Sequence, residues 1–159
     1  MSPPPPELIV FYGSLMEGLT LAGKPDLTAL GAARIDRCLV RGVLWDTGNG
    51  HPAMTRAGDP EAGVVVGELW ALEEPERALA ALDAFEGVVP GDDDASEYLR
   101  VRTQCLGAGL QPAGVPVWIY VWNRPTAGME LVRGGDWRER VGAAPATGPA
   151  PRRRRARRR

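Results

Sequence analysis

A carboxylate placed against the grain of a helix is the first residue whose position invites chemistry. In Leu82-Asp83-Ala84-Phe85-Glu86-Gly87, Glu86 falls in the last turn of a predicted helix, beside an aromatic ring and three residues from Asp83. The helix macrodipole disfavours a negative charge there by about 0.3–1 kcal/mol. A like charge nearby and any burial push the same way, and each raises a carboxyl pKa. General acid/base residues are tuned upward by such surroundings, so Glu86 is a candidate catalytic residue. The plain alternative is a solvated acid at a frayed helix end.

A second candidate is the turn Tyr12-Gly13-Ser14-Leu15-Met16-Glu17-Gly18, directly after an apolar run. Gly13 and Gly18 have the spacing of a phosphate-binding loop, but Leu19 stands where that loop needs lysine, so the nucleotide reading fails. What remains is a tight turn whose backbone N–H groups can converge on a carboxylate or a developing oxyanion, or an ordinary strand-to-loop turn. His51, the single histidine, can in principle orient a nucleophile such as Ser14, but the sequence supplies no triad and a solvent-exposed ring is the simpler expectation. Tyr120 carries a polar end that can point into a cavity mouth. The pairs Trp118/Tyr120 and Trp45/Trp70 read as sheet packing. The run Asp92–Asp94 lacks the spaced ligands and glycine of a calcium loop and reads as solvated.

These residues must be held by a modest number of elements. Leu8–Tyr12 predicts a buried strand ended by Gly13, and Cys38–Trp45 a strand interrupted at Gly42. Pro52–Arg56 predicts a short strand and Gly63–Leu72 a clear one. Lys24–Ala33 carries a weak helical pattern through Leu27 and Leu30. Pro75–Phe85 is the one strong helix: proline opens it after Glu73 and Glu74, Ala78, Leu79, Leu82 and Phe85 share a face, and Gly87 stops it. Gly91–Ala95 is an acidic loop, Glu97–Leu106 a half-exposed strand, and Gly114 and Pro116 open a last strand, Val117–Trp122. Short strands, one good helix and frequent glycines predict an α+β fold on a small curved sheet or barrel; without βαβ alternation, a Rossmann sheet is disfavoured.

Length and charge set the frame. The 159 residues suit one domain, here 8–142, between a Pro-rich arm over 1–7 and a Pro/Ala/Arg-rich tail over 143–159 expected to be disordered. Seven of the 19 basic residues crowd into Arg152–Arg159, which leaves the remainder at −8, an acidic globule rather than a basic nucleic-acid-binding fold. The arginine tail can give salt-sensitive contact with nucleic acid or an anionic surface, although a tail without function is the default. Cys38 and Cys105 lie far apart in no C-x-x-C pattern, which excludes a disulfide scaffold or a zinc ribbon and predicts inert core thiols. One histidine cannot build a multi-histidine metal site. No membrane-length apolar run or secretory leader is evident, so a cytoplasmic setting without membrane contact is expected.

The order of motifs resembles the γ-glutamylcyclotransferase-like family, including its γ-glutamylamine cyclotransferases. The matching pieces are Tyr12-Gly13-Ser14-Leu15, then Gly42-Val43-Leu44-Trp45-Asp46, Gly50-His51-Pro52-Ala53 and Gly67–Trp70, followed by Leu82–Gly87, Tyr98-Leu99-Arg100, Val117–Trp122 and Gly135-Asp136-Trp137. The resemblance runs from Leu8 to Trp137. It implies a small mixed β-barrel flanked by helices, with the site at the barrel mouth. It also implies that a γ-glutamyl amine or peptide closes to 5-oxoproline and releases the amine, without metal or cofactor. By position, Glu86 becomes the catalytic acid/base, and the Tyr12–Leu15 turn holds this small-molecule substrate. Arg100 can pair with the substrate's carboxylate or form a structural ion pair. The alternative is a non-catalytic member whose cavity binds a small acidic metabolite or a partner. Two features depart from the family pattern: the long acidic segment Val88–Ser96 and the arginine tail.

Overall fold

The computed structural model describes residues 5–56, 58 and 62–143. Most of the Pro-rich arm and almost all of the tail, with the disorder and arginine-mediated contacts expected of it, lie outside the described residues. Seven strands and two helices follow in the order β1 (Glu7–Phe11), β2 (Ala32–Asp46), β3 (Pro52–Thr55), β4 (Gly63–Leu72), α1 (Pro75–Phe85), β5 (Tyr98–Leu106), β6 (Pro112–Trp122), β7 (Glu130–Leu131) and α2 (Trp137–Arg140). Among the described residues no helix is long and apolar enough to cross a membrane.

The strands make one sheet in the order β3-β2-β4-β1-β6-β5, with β7 on β2. Among the described residues only β1 and β6 run parallel, and β1 lies between β4 and β6. That central place explains its unbroken apolar run: Ile9, Val10 and Phe11 are all buried. The α+β class holds, but the sheet is not closed into a barrel. Instead it curls until β2 meets β5 and β3 meets β6. Across that approach Cys38 of β2 and Cys105 of β5 form a disulfide. The expected inert thiols are therefore a cross-link between strands remote in the sheet order, whose partnership depends on a curl that sequence spacing does not report.

Three other expectations change. Lys24–Ala33 forms loop and turns up to Gly31 and then enters β2, rather than a helix; two leucines among Gly23, Pro25 and Gly31 cannot sustain a helical face. Gly42 does not interrupt its strand but pairs with Gly63 inside the 15-residue β2. The last strand starts at Pro112, because a hairpin with β5 carries it through Gly114 and Pro116.

Two tethers fix the sheet's working end. On one side Glu68 of β4, 1% exposed, takes Arg34 Nε at 2.9 Å and Arg138 Nη2 at 3.2 Å, and accepts the Glu17 backbone N–H at 2.7 Å. Arg138, held on α2, also donates to the Glu17 carbonyl. This buried ion cluster clamps the end of the loop that begins at Tyr12. On the other side Asp83 of α1 accepts Arg100 Nε at 2.7 Å and the Tyr120 hydroxyl at 2.7 Å, which binds the C-terminal half of the helix to β5 and β6.

Candidate active site

Glu86 follows α1 directly. Its N–H closes onto the Leu82 carbonyl, and Gly87 then turns the chain with φ +70°. That left-handed conformation suits glycine, and a Cβ there would meet Glu97 Cβ at 3.2 Å. Ser96, fully buried, stitches the following acidic loop: its Oγ accepts the Val89 N–H at 2.8 Å and donates to the Asp92 carbonyl at 2.9 Å. The Glu97 N–H bonds the Gly87 carbonyl at 3.0 Å, which brings Glu97 back beside Glu86.

A cavity of about 270 Å³ lies at this end of the sheet. Tyr12, Gly13, Ser14, Leu15, Glu86 and Tyr120, six of the residues singled out from sequence, share its lining. Arg100 does not line it; its guanidinium is engaged by Asp83 and stacks 4.3 Å from the Trp118 ring centre.

The turn after β1 is built to leave donors over. Gly13 packs so tightly against Pro52 that a Cβ would approach Pro52 Cγ to 2.6 Å, which forbids a side chain. The Met16 N–H returns to the Gly13 carbonyl and the Glu17 N–H goes to Glu68. Among the described residues no acceptor meets the N–H groups of Gly13, Ser14 and Leu15, and Ser14 Oγ, buried, also has no partner. Buried donors are almost always satisfied, so a cluster of unpaired ones beside a cavity is a recognition surface for an anionic or carbonyl oxygen.

Across the lining, burial and then the Glu97 charge raise the Glu86 carboxyl from its ordinary 4.5 to about 8. The like charge that matters is Glu97 rather than the expected Asp83, which is taken up by Arg100 and Tyr120. Among the described residues the lining contains neither lysine nor arginine to offset it. Burial likewise raises the phenols of Tyr12, Tyr98 and Tyr120 well above 10, which keeps them neutral as hydrogen-bond donors. Tyr12 donates to the Tyr120 carbonyl at 2.6 Å and pins β1 to β6.

Sequence reasoning set His51 aside and passed over Glu97 and the role of Tyr98. The Tyr98 hydroxyl donates to the Pro52 carbonyl at 2.7 Å and lies 3.0 Å from His51 Nδ1. With its proton committed to Pro52, the Tyr98 oxygen accepts from Nδ1–H of His51. His51 does not pair with Ser14. The Tyr98 signal was present in the strand motif Tyr98-Leu99-Arg100; the Glu97 signal was not, because only the loop's return places it at the cavity.

A Halalkalibacterium halodurans protein provisionally named a gamma-glutamylcyclotransferase is 42% identical over 65 residues, 41% of this chain and 54% of that protein. The gamma-glutamylcyclotransferase family protein YtfP of Escherichia coli K12 is 33% identical over 81 residues, 51% of this chain and 58% of its own length. The alignments thus cover little more than half of each relative. In fold, a uropathogenic Escherichia coli-specific protein superposes with a TM-score of 0.59 at 24% identity, over 86% of this chain and 95% of that one. A mouse AIG2-like protein superposes with a TM-score of 0.50 at 21% identity, over 73% and 76%. The family described as gamma-glutamyl cyclotransferase, AIG2-like, matches residues 9–139, most of the sequence and all of the lining just described, and the chain belongs to that family.

Proposed function

We propose that this protein converts a γ-glutamyl amine or peptide to 5-oxoproline and free amine, with Glu86 as the acid/base and no cofactor. The observation that carries the reading is the juxtaposition of an unpaired, proton-holding carboxyl with a turn of unpaired main-chain donors across one cavity. The substrate's α-amine is its own nucleophile. Its attack on the γ-carbonyl forms the ring C–N bond, the amide C–N bond breaks, and two protons pass from the α-nitrogen to the leaving nitrogen. Orientation of an intramolecular attack can replace roughly 7–11 kcal/mol of barrier, so proton traffic is what the protein must manage.

A Glu86 carboxyl at about 8 suits that traffic. Free α-amino groups titrate near 8, so transfer from ammonium to carboxylate is almost level, whereas a carboxyl at its ordinary value faces a climb of about 5 kcal/mol. The Gly13–Leu15 N–H groups grip the substrate carboxylate or the oxyanion, and Ser14 Oγ is one further donor. Arg100 acts through Asp83, holding the helix end. A purely binding member that takes an acidic metabolite finds only main-chain and hydroxyl donors here, beside the Glu97 carboxylate and with no lysine or arginine in the lining, which works against that alternative. The test is 5-oxoproline release from a panel of γ-glutamyl amides by the protein and its Glu86→Gln variant. Product from the first and almost none from the second is expected; equal release removes Glu86 from the mechanism.

A further inference from the structure

The Glu97 side chain is not required by the proton traffic described above, yet it belongs to the same lining as Glu86. It is exposed, and among the described residues no hydrogen bond or ion pair engages its carboxylate. Its backbone, by contrast, is fixed on both sides: the N–H bonds Gly87 and the carbonyl accepts the Asn123 N–H at 2.9 Å. The carboxylate is thus presented at a set position on the cavity rim without a partner. The buried end offers the opposite chemistry, with Ser14 Oγ unpartnered at 7% exposure among unpaired N–H donors. Donors at the inner turn and a carboxylate at the rim describe a ligand negative at one end and positive at the other.

Resting on the proposed reaction, we infer that the leaving amine carries a second positive charge, and that Glu97 selects it. A glutamyl group whose carboxylate engages the Gly13–Leu15 donors and whose α-nitrogen faces Glu86 directs its amide substituent away from the turn, toward the rim. A diamine-like substituent there places an ammonium against Glu97. A neutral alkyl substituent leaves Glu97 unanswered, and an anionic one is repelled. The acidic loop before Glu97, with Asp92, Asp93 and Asp94 exposed, adds a field of the same sign.

The test compares three γ-glutamyl amides of equal length, those of 1,4-diaminobutane, butylamine and 4-aminobutyrate, on the full chain and on Glu97→Gln and Glu97→Lys. The ratios of kcat/KM between amides matter, because any effect of Glu97 on the Glu86 carboxyl is common to all three. The wild type is expected to favour the cationic amide over the neutral one about three- to tenfold, mostly through KM, with a preference that shrinks as salt is added. Glu97→Gln brings the ratio close to one, and Glu97→Lys turns it toward the anionic amide. A wild type indifferent to the charge, or a Glu97→Gln variant that keeps the preference, overturns the inference. If no amide yields 5-oxoproline, the proposed reaction fails on its own. Calorimetric binding of the same amides then decides: tighter binding of the cationic amide, lost in Glu97→Gln, sustains the rim's selectivity, and equal or absent binding refutes it.

Discussion

Glu68 and Glu86 are two carboxylates at one end of one small molecule, the first buried and the second half-buried beside a cavity, and they are treated in opposite ways. Glu68 sits between two guanidiniums and a backbone N–H, every part of it answered within the protein. Glu86 faces a cavity with no cation, beside a second acid, and holds its proton up to about pH 8. Both belong to the same end of the fold: Glu68 anchors the loop after β1 from behind, and Glu86 confronts that loop across open space. A buried charge with partners fixes geometry, whereas a half-buried carboxyl facing a cavity stays responsive to whatever enters.

Exchanging each acid for its amide sharpens this contrast. Glu86→Gln should lower 5-oxoproline release about 10²–10⁴-fold, the usual worth of a positioned acid/base group, while the chain still folds. A smaller drop, measured by initial rates on the preferred amide, makes Glu86 a bystander. Glu68→Gln should do the reverse, costing about 3–5 kcal/mol in denaturant unfolding because Arg34 and Arg138 lose their shared counter-charge. An unchanged midpoint would mean that the cluster is not what secures the loop.

The two acids also part company in the pH dependence of stability. Between pH 4.5 and about 8 folded Glu86 keeps a proton that the unfolded chain releases. Stability therefore falls as pH rises through that window, and below it the effect vanishes. Glu86→Gln should remove the fall, ending about 2–4 kcal/mol more stable than the wild type at pH 8.5 and level with it at pH 4. Parallel curves for the two proteins would contradict the shift. The mildest perturbation is Asp83→Asn, which weakens the tie of α1 to Arg100 and Tyr120. It should lower kcat about three- to tenfold with KM little altered, through misplacement of Glu86 rather than loss of a contact with substrate. A change confined to KM would place Asp83 in binding instead.

Much of this arrangement could be read from the chain. β4 and α1 carry complete local signals, alternation in one and a proline start with a glycine stop in the other, so their boundaries coincide with the structure. Glu86 was legible because it violates a local rule, and the Gly13 turn because it follows so compact an apolar run. What escaped depends on the way remote segments meet. The Cys38–Cys105 link, 67 residues apart, needs the sheet's curl. The Glu68 cluster needs β4, α2 and the first loop to converge. His51 looked exposed because its partner Tyr98 is 47 residues away, and Glu97 looked like one more acid in an acidic loop until Ser96 and Gly87 folded that loop back.

The most direct test of the central claim is the titration of the Glu86 side-chain carboxyl itself, followed by its ¹³C resonance and assigned by its absence in Glu86→Gln. A midpoint near 8 is expected, falling when Glu97 is replaced by glutamine. A midpoint below 5.5, the range of a solvated carboxylate, would show that Glu86 is neither dried nor pressed by its neighbour, and would contradict its assignment as the acid/base of this cavity.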